Sequence, residues 1–336
     1  MVRVSGIGSW PGTDVRAALQ AVLGDLAELS AEGASGMPYL PELPARGPGS
    51  DMIGRTAHLL RDMPVDLQPQ GWRLVDRPGL DASRTAALWR EDLDELAEIF
   101  DGYEGDFKVQ VVGPWTLASQ VWLPFGDRVL SDQGAMRDLF ASLAAGLTEH
   151  LRHIARVLPR ARLIVQIDEP SLPTILAGRV PSASGYRRLP APAADDAASV
   201  MQAVIGAATA QDVETVLHCC ARRPPLRVMR EAAPGGISID TTGLDIRRWE
   251  GIAVAVESGI RLWAGALATD VNPAGYRPSH EELVRRWREV GLPMADLAHL
   301  SITPACGMAG LSPQDARDLS GATVRLGRDL AESAAE

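Results

Sequence analysis

Leu163-Ile164-Val165-Gln166-Ile167-Asp168-Glu169-Pro170, LIVQIDEP, reads as a strand that is apolar on both faces and then stops on two acids. A near-continuous aliphatic run of this length marks a parallel strand covered on both sides. The segment before it, Gln133–Val157, repeats its apolar residues at helical spacing, with Leu143, Leu147, Leu151 and Ile154 on one stripe. The same alternation runs through the whole chain. The other strand candidates are Val2–Gly8, Met37–Leu40, Lys108–Val112, Thr215–Cys219, Gly236–Asp240, Arg261–Ala266 and His299–Thr303. Helical patterns cover Asp14–Leu29, Arg84–Phe100, Ala194–Ala210, Ile246–Ser258, Glu281–Val290 and Pro313–Glu332. Asp14 and Ser312 stand where N-caps are wanted, and Pro313 suits a first helical position.

Eight strands alternating with helices predict an α/β chain folded as a (β/α)8 TIM barrel, with 1–336 as a single domain. A doubly wound open sheet would also alternate. It would normally carry a Gly-rich phosphate loop after its first strand, and GIGSWPG is not G-x-G-x-x-G. Two insertions, Pro41–Ser50 and Pro64–Leu80, fall between the second and third strands, and the latter is expected to form a hairpin or lid.

Composition narrows the class. The 336 residues are 46% hydrophobic, with 33 basic against 43 acidic side chains and a net charge of −10. Nucleic acid and anionic membrane both need a basic footprint and are excluded as main partners. No apolar run approaches the roughly 20 residues that cross a bilayer. Met1–Gly6 lacks a signal-peptide core, so the expected location is cytoplasmic, where thiols stay reduced. Three cysteines close no disulfide framework, which turns attention to metal binding or nucleophilic chemistry.

The unusual polar residues gather where strands end, which in a barrel is where chemistry collects. His218 and Cys220 lie two apart on one strand and face the same way, leaving Cys219 to pack outward. Asp240 ends the next strand and Cys306 the last. One imidazole, two thiols and a carboxylate converging there describe a tetrahedral zinc (Zn2+) site. An H-x-C pair alone is weak; Asp240 could instead cap a helix or pair with arginine, and Cys306 could simply pack beside Gly307. Of Asp168 and Glu169, one carboxylate could bind a substrate amine or move a proton; alternatively Asp168 caps the next segment and Glu169 is solvated. Trp10, Trp115 and Trp122 fall in βα loops, where they could wall a pocket or pack on the barrel.

GIGSWPGT, GPWT, QIDEP, HCC, SID and TPACG, in this order from Ile7 to about Gly307, resemble the C-terminal catalytic barrel of cobalamin-independent methionine synthase. The resemblance implies a methyltransferase in which zinc binds the thiol of homocysteine and the thiolate takes a methyl group. It carries the zinc ligands onto His218, Cys220 and Cys306, with Asp240 where the family has glutamate. It carries the amino acid's carboxylate onto Ile7, Gly8 and Ser9, and its ammonium onto Asp168. Glu42 or Asp51 stands for a second amino-group acid. Asp270 replaces a histidine that works with the DEP acid in proton transfer, and Trp122 matches a folate-stacking tryptophan approximately. The family's N-terminal barrel has no counterpart in the matched stretch. The expected donor is therefore either methylfolate or a methylated corrinoid protein. The rival readings are a zinc methyltransferase for another thiol or corrinoid, and a zinc or thiol-amino-acid binder without turnover.

Overall fold

The computed structural model describes residues 1–26, 29–31, 33–269 and 276–336. Its parallel strands are β1 (Val2–Val4), β2 (Ala34–Gly36), β3 (Asp106–Val112), β4 (Arg162–Asp168), β5 (Glu214–Cys219), β6 (Gly236–Asp240), β7 (Arg261–Leu267) and β8 (Ser301–Pro304). Their order in the sheet is β2-β1-β8-β7-β6-β5-β4-β3, and a two-residue strand, Ser30–Ala31, runs antiparallel along β2. The chain just past β2 closes the ring onto β3. The Lys108 N–H donates to the Pro38 carbonyl at 2.9 Å, and the Leu40 N–H donates to the Lys108 carbonyl at 3.0 Å. The predicted eight-stranded α/β barrel is what forms.

Strand ends differ from the sequence reading for identifiable reasons. At β1 the ladder to β8 stops after Ser5 N–H donates to Ile302, and Gly6 to Trp10 form the loop above it. His299 belongs to a 3-10 turn, Met294–His299, so β8 begins later than expected. The long helices sit outside the barrel with their apolar stripes inward; Leu143, Leu147, Leu151 and Ile154 are all buried, as the spacing requires. Ser312 caps Pro313–Ala335 by accepting from Asp315 N–H. No described helix is long and apolar enough to cross a membrane.

Inside the ring the side chains form layers. At the N-terminal end Arg3 of β1 reaches across to Glu214 of β5 at 2.8 Å and to Asp106 of β3 at 3.2 Å, while Arg162 bonds Asp106 at 2.7 Å. Above this ionic floor lies a separate apolar plug of Met37, Ile164, Val216 and Trp263. The next inward positions are polar: Lys108 and Gln110 on β3, Gln166 on β4, His218 on β5. The polar positions lie on the C-terminal side of the apolar plug.

The second insertion is a hairpin of Val65–Gln68 with Gly71–Leu74. It docks on the loop after β3 through Trp122 N–H to Trp72 O at 2.8 Å and Leu74 N–H to Trp122 O at 2.9 Å. The segment linking β2 to the hairpin is wedged against the shell. A Cβ on Gly146, in helix Gln133–Val157, would land on the backbone carbonyl of Leu59. Because backbone cannot yield as a side chain can, Gly146→Ala should destabilise the protein by about 1–3 kcal/mol, despite alanine's better helix propensity. A urea unfolding midpoint unchanged or raised by this substitution would show that the contact is not rigid.

Candidate active site

The two acids of Asp168-Glu169 part company at the end of β4. Asp168 is the last inward residue of the strand, in line with Gln166 and Ile164, and Gln166 Nε2 donates to its Oδ1 at 2.7 Å. Glu169, completely buried, turns toward the N-terminus of helix Pro114–Gln120. Its carboxylate accepts from Trp115 N–H and Thr116 N–H at 2.8 Å each and from Thr116 Oγ1 at 2.7 Å. Gly113 is required because a Cβ there would strike this carboxylate, and Pro114 fills a helix position that needs no donor. Glu169 is thus a buried helix cap joining the GPWT and DEP segments. The alternative of a capping Asp168 and a solvated Glu169 does not hold, since the cap is Glu169 and it is buried. Burial, opposed by these three hydrogen bonds, sets the Glu169 carboxyl at about 7.

The mouth of the barrel brings together Asp168, His218, Cys220 and Cys306. His218 is buried, and its Nδ1 lies 2.9 Å from Ser238 Oγ, which leaves Nε2 as the free ring nitrogen. Burial, helped by the nearby Lys108 charge, lowers its pKa to about 3, so the imidazole is neutral. Cys220 follows β5 and Cys306 follows β8, and both thiols are half-buried near Asp168. The proximity of Cys306 pushes the Cys220 thiol up, and that of Cys220 pulls Cys306 down to about 6. Cys219, facing the other way, is buried in the main core with its thiol pushed up to about 12 by burial.

Asp240, the expected fourth ligand, is drawn into its own turn: Oδ1 accepts from Thr242 N–H at 2.8 Å and Thr242 Oγ1 at 2.6 Å. Among the described residues no group of three or more His, Cys, Asp or Glu side chains is placed to hold a metal ion. By donor type alone, a neutral imidazole oriented by a hydroxyl and two soft sulfurs, His218, Cys220 and Cys306 are a set that zinc accepts.

Next to these groups lies the Ile7–Ser9 loop. The Ile7 carbonyl accepts from Lys108 Nζ at 2.8 Å and Gln166 Nε2 at 2.9 Å. Ser9 packs on the TPACG loop, where Met308 N–H donates to its carbonyl at 2.9 Å and a Cβ on Gly307 would strike its Oγ. Glu42 joins the same loop by donating its N–H to Gly8 O at 3.0 Å and accepting from Trp10 N–H at 2.8 Å. Burial raises both Asp168 and Glu42, the first also through the charge of Glu42, the second opposed by Arg55 at 3.9 Å. Between them sits Lys108, wholly buried and lowered to about 8 by burial against the pull of Asp168 and Glu42.

Three other sequence candidates do not reach this cluster. Asp51 is the N-cap of helix Met52–His58, accepting from Gly54 N–H at 2.9 Å. Trp115 points into the helical shell, where Nε1 donates to Ala197 O at 3.0 Å and its ring meets Phe140 edge-on. Trp122 is consumed by the hairpin and covered by Arg128, 4.6 Å above its ring. Asp270 lies outside the described residues. Lys108 and Gln110 were missed, although DFKVQVV carries the signal: Asp106, Lys108 and Gln110 repeat at period two, which aims all three inward.

The chain matches no protein-family model and no curated protein. Among solved structures it is similar to a B12-independent methionine synthase from Shewanella sp. W3-18-1, determined in complex with selenomethionine. The two share 12% sequence identity at a TM-score of 0.63, over 98% of this chain and 97% of that one. The likeness is one of fold. It extends over the barrel and its connecting loops alike, since almost nothing of either chain is left unmatched.

The Glu169 cap makes a direct prediction. Thr116→Val keeps the shape but removes one of three donors to a buried carboxylate, and should lower stability by about 2 kcal/mol. An unfolding midpoint equal to that of the unsubstituted protein would show that the hydroxyl contributes nothing there.

Proposed function

We propose that this protein is a zinc-dependent methyltransferase that moves a methyl group to the thiol of homocysteine and releases methionine. The observation that carries the reading is that His218 and Cys220 at the end of β5 and Cys306 just past β8 fall at the same mouth of the barrel as the buried Asp168. His218, Cys220 and Cys306 are the proposed zinc ligands, with Asp240 available as a fourth if it leaves Thr242. Zinc bound there supplies the Lewis acidity that turns a thiol, ordinarily protonated at neutral pH, into a nucleophilic thiolate.

The remaining residues bind and orient. The carboxylates of Asp168 and Glu42 receive the α-ammonium, and the Ile7–Ser9 loop receives the α-carboxylate. Two buried acids against the one ammonium of Lys108 favour an amino-acid acceptor over a simple thiol, because a second cation relieves their repulsion. Held at both ends, the acceptor leaves only its sulfur free to move toward a methyl donor, so alignment does much of the catalytic work. Asp270 is the proposed partner of Asp168 in proton transfer. The donor is a methylfolate or a methylated corrinoid protein.

The purified protein should contain about one zinc per chain, and Cys220→Ser or Cys306→Ser should weaken zinc binding by more than about 100-fold. Metal analysis after dialysis against a chelator reads this directly. Homocysteine should yield methionine with methyltetrahydrofolate or methylcobalamin as the methyl source. Stoichiometric zinc retained by both serine variants would remove the metal assignment, and zinc-loaded protein that methylates homocysteine from neither donor would remove the activity.

A further inference from the structure

The loop above β1 has all three of its carbonyls engaged. Ile7 O takes Lys108 Nζ and Gln166 Nε2, Gly8 O takes the Glu42 N–H, and Ser9 O takes the Met308 N–H. Each bond fixes one peptide plane, and each anchor comes from a different part of the barrel: β3 and β4, the β2 loop, and the β8 loop. With the carbonyls turned away, the Gly8 and Ser9 N–H groups have no acceptor among the described residues. Free N–H groups on a loop whose carbonyls are all anchored are available as donors to an anion.

The Ile7 anchor is the unusual one. A fully buried ammonium is expensive, and here it points at a neutral carbonyl, 2.8 Å away, rather than forming a close ion pair. Its other acceptor, Gln110 Oε1, is distant at 3.4 Å, and Gln110 Nε2 is committed to Leu40 O at 2.6 Å. Gln166 divides its amide between the Ile7 carbonyl and Asp168 Oδ1, so the loop and the inward acid are held by one side chain.

We infer that Lys108 and Gln166 are positioning residues, a two-donor clamp on the Ile7 carbonyl that presents the Gly8 and Ser9 N–H groups to the α-carboxylate of the amino-acid ligand. This rests on the functional reading above. Lys108 acts on the carboxylate end only, whereas Gln166 also orients Asp168 at the ammonium end. Removing Lys108 takes a positive charge from beside Asp168 and Glu42, so the ammonium end of the ligand is held no less tightly without it.

That difference in sign separates positioning from general structural support. The test compares two probes by calorimetry: methionine, and 3-(methylthio)propylamine, which is methionine without its carboxylate. The proteins are the unsubstituted chain, Lys108→Met and Gln166→Met. Lys108→Met should weaken methionine binding about tenfold, the scale of one lost hydrogen bond to a charged group, and leave the amine bound at least as tightly; Gln166→Met should weaken methionine more than it weakens the amine. Equal loss for both probes, or no loss for methionine, overturns the clamp. If the unsubstituted chain binds neither probe, the amino-acid reading itself fails and the clamp falls with it. Should Lys108→Met not fold, Gln166→Met decides on the difference between the probes, because it leaves the buried ammonium and its Ile7 contact in place: a loss for methionine no greater than that for the amine overturns the clamp.

Discussion

The barrel is closed by a single residue's backbone, and that residue also places the charge around which the site is arranged. Lys108 donates to Pro38 and accepts from Leu40, joining the eighth interface of the ring. Because side chains alternate along a strand, this hydrogen bonding fixes Lys108 facing the lumen, above the apolar plug and below the mouth. An ammonium buried there requires nearby acceptors and negative charge. Ile7 O supplies the first; Glu42 and Asp168 supply the second. Closure, loop position and the electrostatics of the mouth are consequences of one register.

Much of the fold was legible because its signal is repetitive. Gly236–Asp240 and Gln133–Val157 were read with their actual bounds, and the alternation alone was sufficient for the eight-stranded α/β barrel. The elements that escaped are short: Met52–His58, Pro114–Gln120, Leu172–Leu176 and Leu226–Glu231 complete two turns at most, too few for a period to show. Strand parity could have separated Asp168 from Glu169, since Asp168 continues the Ile164–Gln166 series. What parity cannot reveal is that Glu169 leaves the strand to cap a helix 50 residues earlier in the chain. The same limit applies to Trp115 and Trp122. Both were expected in βα loops; Trp122 lies in one, but Trp115 belongs to the short helix Pro114–Gln120, too brief for a period to give its direction, and each indole found its partners in the shell or the hairpin.

The candidate site was legible as a set of residues and less so as a geometry. His218 and Cys220 share a face by strand spacing, and Cys306 joins them because β5 and β8 both end at the mouth. Asp240 also ends at the mouth, yet a carboxylate at a strand end followed by two threonines has a local alternative: it can accept from the backbone and hydroxyl two residues on. The choice between turn and ligand is a competition between two hydrogen bonds and a metal–oxygen contact, and sequence spacing does not weigh such terms.

The asymmetry of the two barrel ends explains why the chemistry has one location. At the N-terminal end Arg3, Arg162, Asp106 and Glu214 neutralise one another, and the Met37, Ile164, Val216 and Trp263 layer shuts the lumen above them. At the C-terminal end two buried acids, Asp168 and Glu42, are set against the ammonium of Lys108, with Arg55 3.9 Å from Glu42, and burial raises both acids. Buried negative charge is costly without a visitor and is relieved by cations. The proposed substrate brings one in its α-ammonium, and the proposed metal is another. On this account the binding of cationic groups completes the electrostatics that the fold leaves open at its mouth.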